Sequence, residues 1–252
     1  INMKTISSNL NPLHFDNSVF DIYGSLFNGA SLIPIEKNEL FDPKSLMKKL
    51  YKKNCDTWFS VPSLLDLILK LGKKNLFKKN KFRNLIFGGE RFPIQSVKKI
   101  FPYLKKTRVF NVSGPTECTC MCSAYKVKKN DLKNDDIYVG KINNYFKYKI
   151  INERLQKDKM GELYLEGPAV SSGYYKDTFK TKKNFYKLDN FFGYKTGDIV
   201  QENKSKLIKI IGRNDNQIKF LGHRIELEEI EKVFIKVFKI KNCIAKLKDK
   251  DI

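Results

Sequence analysis

Three glycine-containing segments carry side chains that could bind a nucleotide. They are Gly-Gly-Glu at 88–90, Ser-Gly-Pro-Thr-Glu at 113–117 and Gly-Tyr-Lys-Thr-Gly-Asp at 193–198. We expect each segment to follow a strand of a parallel sheet, because the carboxyl ends of such strands form the ligand crevice. Glycine at a turn lets backbone N–H groups approach a phosphate or a flat base. The three segments therefore predict a nucleotide-binding crevice.

Four side chains in or near these segments have suitable chemistry. The Thr116 hydroxyl can contact a phosphate oxygen, and Glu117 offers the hard oxygen that Mg²⁺ prefers. Asp198 is suited to accept hydrogen bonds from two ribose hydroxyls, and Arg213 adds a fixed cation for phosphate or ribose. Each segment alone is more often an ordinary turn than a site, whereas their order and spacing together indicate a site.

Composition excludes several classes of protein. The chain has 252 residues with 41% hydrophobic and 13% aromatic residues, which excludes disorder over most of its length. The net charge is +22, but only six of the 49 basic residues are Arg, and the lysines are spread along the chain. This pattern favours codon bias over nucleic-acid binding, with attraction of an acidic protein partner as an alternative. Apolar runs such as 64–71 are too short to span a membrane.

The cysteines predict free thiols rather than disulfides or a metal site. No secretory signal precedes them, so we expect a reducing compartment and a cytoplasmic location. Three of them alternate with other residues, which is not the spacing of a zinc knuckle, and His14 and His223 are far apart in sequence. The five cysteines are Cys55, Cys118, Cys120, Cys122 and Cys243.

The elements that must position these side chains change in character along the chain. Strand signals at 30–35, 57–61, 84–87 and 108–111 alternate with helix signals, which predicts a parallel sheet with helices on its faces. From about residue 125, short β segments predict a small antiparallel sheet or barrel. They lie at 124–127, 146–152, 162–165 and 206–211. An amphipathic helix is predicted at 227–238.

The predicted fold class is α/β, and the chain is predicted to have three parts. Residues 1–125 form a parallel sheet with flanking helices, and residues 126–213 form a small β-barrel-like subdomain. Residues 214–252 begin a small α+β C-terminal domain.

The order of the motifs resembles that of the adenylate-forming enzymes, the superfamily of amino-acid adenylation domains, acyl-CoA synthetases and luciferases. The resemblance covers nearly the whole chain, and its last stretch is long and specific. The motifs are Phe-Asp-Asn-Ser-Val-Phe-Asp at 15–21, followed by Leu-Phe-Asn-Gly-Ala at 26–30, Gly-Gly-Glu at 88–90, Asn-Val-Ser-Gly-Pro-Thr-Glu at 111–117, Gly-Glu-Leu-Tyr-Leu-Glu-Gly at 161–167 with Gly-Tyr-Tyr at 173–175, Tyr-Lys-Thr-Gly-Asp at 194–198, and the run from Gly-Arg-Asn-Asp at 212–215 to Glu231.

The resemblance implies that ATP and Mg²⁺ bind at these motifs. It assigns catalytic roles to Thr116 and Glu117, with Glu117 also the metal ligand. The nucleotide-binding residues that it implies are Gly88, Gly89, Glu90, Asn111, Val112, Ser113, Gly114, Pro115, Thr116, Asp198, Ile210 and Arg213.

Within the superfamily, the chain resembles the amino-acid-activating members, including D-alanine–carrier-protein ligases. Asp16 then pairs with the α-ammonium group of the substrate, a charge-assisted bond that rejects plain fatty acids. Alternatively, Asp16 caps a helix that starts near Ser18. The implied side-chain pocket suits a small neutral amino acid, although Cys120 and Met121 could instead be core packing. Its residues are Asn17, Phe20, Ile86, Gly88, Val112, Cys120 and Met121.

The resemblance also implies two half-reactions. The amino acid carboxylate first attacks the α-phosphate of ATP, and a carrier protein's phosphopantetheine thiol then attacks the aminoacyl adenylate. The C-terminal domain rotates between the steps, with Asp215 at the hinge. An acyl-CoA synthetase and an inactive remnant that binds nucleotide or carrier protein are the alternatives. The resemblance implies no oligomeric state.

The chain departs from the superfamily pattern in three places. It lacks a Ser/Thr/Gly-rich phosphate loop with a Lys before residue 15, and it lacks the catalytic Lys of the C-terminal domain. Both serve the first half-reaction, so we expect this chain to be an internal portion of a longer enzyme. Ser113 also stands where most members have an aromatic residue that stacks on adenine, which predicts weaker nucleotide binding by on the order of 1 kcal/mol.

Overall fold

A seven-stranded sheet forms the larger part of the protein. The computed structural model describes residues 1–71, 74–79, 81–134, 136–215, 217–220, 223–240 and 242–246. The strands follow the order β2-β1-β3-β4-β5-β6-β7, in which the first five are parallel and the last two antiparallel. They are β1 (Ile6–Asn9), β2 (Ser31–Pro34), β3 (Thr57–Ser60), β4 (Asn84–Gly88), β5 (Arg108–Ser113), β6 (Ser123–Lys126) and β7 (Lys141–Ile142).

Four helices connect the parallel strands, and local signals explain where they start. The Asp42 side chain accepts hydrogen bonds from the backbone N–H groups of Lys44 and Ser45, and Pro43 fills the first turn of α2. The face formed by Leu46, Met47 and Leu50 is fully buried against the sheet. The helices are α1 (Asn17–Leu26), α2 (Pro43–Lys52), α3 (Pro62–Lys70) and α4 (Ile94–Ile100).

A second, antiparallel sheet follows in the chain. Its strands run β10-β11-β9-β8, and β12 also pairs with β11. Tyr194, Leu165 and Val200 fill its core. Its elements are β8 (Lys147–Ile151), β9 (Met160–Gly167), α5 (Thr178–Asn184), β10 (Phe185–Lys187), β11 (Phe192–Glu202) and β12 (Ile208–Arg213).

The C-terminal region begins with a hairpin and a helix. Strands β13 (Gln217–Phe220) and β14 (His223–Glu226) pair antiparallel, and α6 (Leu227–Phe238) follows directly. No helix in the described part of the chain is long and apolar enough to cross a membrane.

The observed architecture confirms the predicted α/β class, with a mostly parallel sheet, flanking helices and a small antiparallel sheet. The first sheet continues past residue 125, because β6 spans that position and β7 extends the sheet to Ile142. The division into three parts at 125 and 213 stays a prediction.

One expectation about the crevice is wrong. The third glycine-containing segment, 193–198, does not follow a parallel strand but lies inside β11 of the antiparallel sheet. Gly193 allows close packing of the strand, because a Cβ there would lie 2.2 Å from Cζ of Tyr186 on β10. The pairing of β11 with β9 shifts register between Lys195 and Ile199, and bulges of this kind re-aim side chains near sites.

Candidate nucleotide and substrate site

A cavity of about 580 Å³ lies between the two sheets and the C-terminal hairpin. The segment 9–17 after β1 lines one side, and the turn 114–116 after β5 lines another. The antiparallel sheet contributes Thr196, Asp198 and Arg213. Segments far apart in sequence therefore meet at one crevice, as the motif order predicted.

Asp16 lies on the wall of this cavity, directly before α1. It is the N-cap residue of that helix, yet its side chain accepts no capping hydrogen bond, so the capping alternative is wrong. Burial, and to a smaller extent the negative charges of Asp16 and Asp21, raises the pKa of Cys120 to about 12. Cys120 is therefore a protonated, unreactive thiol close to the Asp16 carboxylate.

The residues predicted to form the side-chain pocket lie together. Phe20, Ile86, Val112, Cys120 and Met121 form one apolar cluster with Phe59 and Phe110. The Cys120 thiol donates to Oδ1 of Asn17 over 3.7 Å. A Cβ at Gly88 would lie 2.6 Å from Cγ2 of Val112, so close packing requires the glycine. The cluster is tightly packed, in keeping with the core-packing alternative for Cys120 and Met121, and Asn17 joins it to the cavity.

An adjacent cavity of about 500 Å³ collects most of the predicted nucleotide-binding residues. It shares Gly89, Asp198 and Arg213 with the first cavity, so the two adjoin. Gly114, Pro115 and Thr116 line the first cavity instead. The other predicted residues on the wall of the adjacent, 500 Å³ cavity are Glu90, Asn111, Val112, Ser113 and Ile210.

Close backbone contacts shape the turn after β5. A Cβ at Gly114 would lie 2.5 Å from the carbonyl oxygen of Cys120 and 2.7 Å from the Cys122 nitrogen. Thr119 and Cys120 have φ angles of +57° and +70°, a left-handed backbone that is uncommon for residues with side chains. Such strain is typical of functional turns.

Glu90 has a structural contact at the edge of the crevice. Its Oε2 accepts a hydrogen bond of 2.9 Å from the backbone N–H of Ser63, in the first turn of α3. A carboxylate at this end of a helix is favourable because the helix dipole is positive there. Glu90 therefore connects the end of β4 to α3 at the wall of the adjacent, 500 Å³ cavity.

Arg213 joins the predicted ribose-binding residue to the predicted hinge residue. Its Nη1 donates to Oδ1 of Asp198 over 2.6 Å. Its Nε and Nη2 donate to the two carboxylate oxygens of Asp215, each over 2.7 Å. The planar guanidinium suits this double contact. Gly197, with φ of +74°, leaves room for the pair because a Cβ there would lie 2.7 Å from Nη2.

Glu117 is buried in the turn between β5 and β6 of the first sheet, on the wall of a third cavity of about 830 Å³. Tyr174 donates a hydrogen bond of 2.5 Å to Oε1 of Glu117. Among the described residues, no three His, Cys, Asp or Glu side chains cluster as a metal site would need. A single carboxylate still fits Mg²⁺, which is commonly held by one or two carboxylates together with substrate phosphates.

Sequence reasoning missed part of the cavity wall, namely Asn9, Asn11, His14, Thr196, Gln217 and His223. The first two escaped because β1 carries serines rather than an apolar pattern. In the folded chain both contact the buried acid Asp21 on α1, whose Oδ2 accepts hydrogen bonds from the side chains of Asn9 and Asn11. A buried carboxylate needs such donors, but the sequence alone does not show that Asp21 is buried.

Comparison with known proteins identifies proteins that this chain is similar to. The family model described as AMP-binding enzyme matches residues 3–175. A D-alanine–D-alanyl carrier protein ligase of Listeria monocytogenes is 32% identical over 96% of this chain and 48% of that protein. Bacitracin synthase 1 of Bacillus licheniformis is 33% identical over 88% of this chain and 4% of that protein. The chain spans about half the length of the curated ligases that it matches.

Solved structures agree with the sequence matches. The Vibrio cholerae adenylation domain AlmE, solved with glycyl-adenosine-5′-phosphate, superposes with a TM-score of 0.84 at 27% identity, covering 95% of this chain and 46% of that one. An NRPS protein with adenylation and PCP domains, bound to a vinylsulfonamide inhibitor, gives 0.85 at 26% identity, covering 93% and 42%.

Proposed function

We propose, from the premise that the chain belongs to the AMP-binding enzyme family, that it is the central part of an ATP-dependent amino acid–carrier-protein ligase. The enzyme activates an amino acid carboxylate as aminoacyl-AMP and passes the aminoacyl group to a phosphopantetheine thiol. The amino acid is small and neutral. The names of the relatives, D-alanine–D-alanyl carrier protein ligases among them, support this class of substrate and partner.

One observation carries the proposal. Asp16 and Asn17 line the same cavity as the turn 114–116, Asp198 and Arg213. A carboxylate that can pair with an α-ammonium group therefore faces groups suited to phosphate and ribose. An aminoacyl adenylate has these features in the same order, with the amine at one end and the ribose at the other. A plain fatty acid would leave Asp16 without a cation to pair with.

The residues of the crevice have distinct roles in the first half-reaction. Asp16 holds the ammonium group, Thr116 contacts the α-phosphate, and Asp198 with Arg213 holds the ribose. They orient the carboxylate towards phosphorus, and orientation of this kind accounts for much of the rate in such transfers. Glu117 would hold Mg²⁺, which would neutralise negative charge on the phosphates.

The second half-reaction needs a change of domain position. The core consists of residues 1–125 and 126–213, and the C-terminal domain begins at residue 214. Asp215 is the hinge between them. The phosphopantetheine thiol of the carrier protein then reaches the adenylate. The five cysteines are free, which supports a cytoplasmic location for these steps.

The proposal is tested by measuring binding of two adenylate mimics to this chain with isothermal titration calorimetry. The first is alanyl-sulfamoyl-adenosine, in which a sulfamoyl group replaces the phosphate. The second is propionyl-sulfamoyl-adenosine, which differs by lacking the amine. We expect the alanyl mimic to bind at least about tenfold more tightly, because hydrogen bonds between charged groups contribute about 1.5–3 kcal/mol.

The variant Asp16→Ala should remove this preference without weakening binding of AMP. Asp189→Ala is the control, since Asp189 is an exposed acid outside the crevice. Equal binding of the two mimics by the wild-type chain would contradict amino acid activation and favour an acyl-CoA synthetase. Failure to bind either mimic or AMP would contradict the whole assignment.

A further inference from the structure

Tyr174 makes a contact that the proposed mechanism has not used. It lies on the segment between β9 and α5, and its phenol donates to Oε1 of the buried Glu117 over 2.5 Å. The hydroxyl of Tyr194 on β11 lies 3.3 Å from the hydroxyl of Tyr174. Both tyrosines line the cavity that Glu117 lines. The Glu117 carboxylate, in the turn after β5 of the first sheet, is therefore reached by a phenol from the connection between β9 and α5.

The position of Tyr174 is itself fixed by several contacts. Its ring packs edge-on against Phe185, with ring centroids 5.3 Å apart. Its backbone N–H donates to Oγ1 of Thr181 over 2.9 Å, and Oγ1 in turn donates to the Asp177 carbonyl. The chain also returns to Glu117 just before Tyr174, because the Ser171 N–H donates to the Glu117 carbonyl over 2.8 Å. Few rotamers of Tyr174 are compatible with these contacts.

We infer that Tyr174 is a positioning residue, whose hydroxyl holds the Glu117 carboxylate in the orientation that binds the divalent cation of the bound nucleotide. This inference rests on the proposed function, which makes Glu117 the cation ligand. A hydrogen bond to one carboxylate oxygen restricts rotation of the carboxylate group. The second oxygen therefore has a defined direction towards the cation. Partners of this kind commonly change metal affinity by about 10–100-fold when removed.

The contact also reduces the cost of burying this acid. A carboxylate in an apolar core is costly unless hydrogen bonds satisfy it. The Tyr174 hydroxyl provides such a bond without bringing a positive charge, which would compete with Mg²⁺. A lysine at this position would neutralise Glu117, whereas a phenol leaves its negative charge in place.

The test is a Mn²⁺ titration of nucleotide binding, with Mn²⁺ as a paramagnetic substitute for Mg²⁺. Binding of a non-hydrolysable ATP analogue to the full chain is measured by calorimetry, and bound Mn²⁺ by electron paramagnetic resonance. Tyr174→Phe keeps the ring and removes only the hydroxyl. We expect it to need about tenfold more Mn²⁺ for half-maximal binding. Its affinity for the analogue in EDTA should equal that of the wild-type chain.

Two further variants separate the possible explanations. Tyr186→Phe is the matched control, because the Tyr186 hydroxyl donates to Oε1 of Glu166 over 3.0 Å in the same sheet but away from the cavity. We expect it to titrate like the wild-type chain. Glu117→Gln tests the ligand itself and should lose most of the Mn²⁺ dependence.

The outcomes distinguish the inference from the function on which it rests. A normal titration by Tyr174→Phe together with an impaired one by Glu117→Gln overturns the role of Tyr174 alone. Normal titrations by both variants overturn the role of Glu117 as well. If Tyr174→Phe does not fold, Thr181→Ala replaces it, since this change frees the Tyr174 backbone and leaves both hydroxyl and carboxylate present. A wild-type titration by that folded variant also overturns the inference.

Discussion

Asp21 is a buried acid whose hydrogen bonds hold Asn9 and Asn11 of the cavity wall, and its burial makes the stability of the fold depend on pH. The side chain is almost completely buried, and its Oδ2 accepts hydrogen bonds from the Asn9 side chain and from both the backbone and side chain of Asn11. Its Oδ1 has no hydrogen-bond partner among the described residues. Burial dominates over these bonds and raises the pKa of Asp21 to about 7.

This pKa predicts that Asp21 makes folding less favourable as the pH rises. Between its unfolded and folded pKa values the folded state binds the additional proton, so the free energy of unfolding falls with increasing pH. We expect this residue to account for a loss on the order of 3 kcal/mol between about pH 5 and about pH 8. Asp21→Asn cannot titrate and should remove that part of the pH dependence.

Urea unfolding of the wild-type chain and of Asp21→Asn at both pH values measures this effect. The difference between the two pH values matters here, because an amide placed at the same site changes the stability at every pH. Asp189→Asn, at an exposed position, is the control and should keep the wild-type dependence. An equal pH dependence in all three proteins would show that Asp21 is ionised in the folded state.

Individual site residues differ in how well they could be predicted from the sequence. Asp16 was found because its motif has a specific order, and it lies on the cavity wall as expected. Asn9 and Asn11 were not found, because their importance comes from contacts with Asp21 that only the folded chain brings together. Glu117 was predicted from its chemistry, whereas Tyr174, 57 positions later in the chain, could be linked to it only by their hydrogen bond.

At the scale of elements, periodicity predicted most of the helices and strands, but it missed α5 and a strand in the interior of the first sheet. Strand β1 carries Ser7 and Ser8, which are 2% and 1% exposed. It pairs with β2 and β3 on its two edges, so backbone hydrogen bonds rather than an apolar pattern define it. The glycines of 193–198 misled for a related reason, since a glycine within a strand can mark close packing as well as a turn.

Arg213 is one link between β11, β12 and the C-terminal hairpin, beside the pairing of β11 with β12 and the hydrogen bond from the Asn214 N–H to the Gly197 carbonyl. Arg213 pairs with Asp198 on β11 and, through a two-pronged contact, with Asp215 beyond the end of β12. The Gln217 N–H also donates to Oδ1 of Asp215 over 3.3 Å, at the start of β13. The predicted hinge residue is therefore held in its present position by a residue that also contacts Asp198, the predicted ribose-binding carboxylate.

Arg213→Lys should loosen this link, because one ammonium group cannot make both contacts at the required geometry. We expect faster hydrogen–deuterium exchange in β13 and β14, by about tenfold if hydrogen bonds worth about 1.5 kcal/mol are lost. Strands β8 and β9 should be unchanged. Arg91→Lys is the control, since Arg91 makes an exposed pair with Asp136 and not with Asp198 or Asp215. Unchanged exchange in the hairpin of Arg213→Lys would mean that other contacts hold the hinge.

At the scale of the whole molecule, the crevice is assembled from three bodies. The first sheet contributes the segments 9–17 and 114–116, the second contributes Thr196 and Asp198, and the hairpin contributes Gln217 and His223. The ring of His223 lies edge-on to that of Phe15, with centroids 5.4 Å apart. A ligand that fills this cavity therefore touches all three bodies, and its binding free energy holds them together.

This arrangement predicts different protection by two ligands in hydrogen–deuterium exchange. Alanyl-sulfamoyl-adenosine should slow exchange in the segment 9–17, in β11 and in the hairpin. AMP alone should protect mainly the wall of the adjacent cavity, which includes Ser113 and Ile210, and leave 9–17 unchanged. The reason is that only the alanyl mimic has an aminoacyl group, and this group is the part of the ligand that we expect to occupy the cavity beside Asp16.

The contrast between the two ligands separates a continuous crevice from two independent cavities. If the alanyl mimic protects only the wall that AMP protects, the cavity at Asp16 does not hold the aminoacyl group. If both ligands protect the hairpin equally, the ribose contacts through Asp198 and Arg213 are sufficient to order it. Protection of 9–17 by the alanyl mimic but not by the propionyl one would connect the amine with Asp16. In that case the same pairing that selects an amino acid would also join the first sheet to the rest of the site.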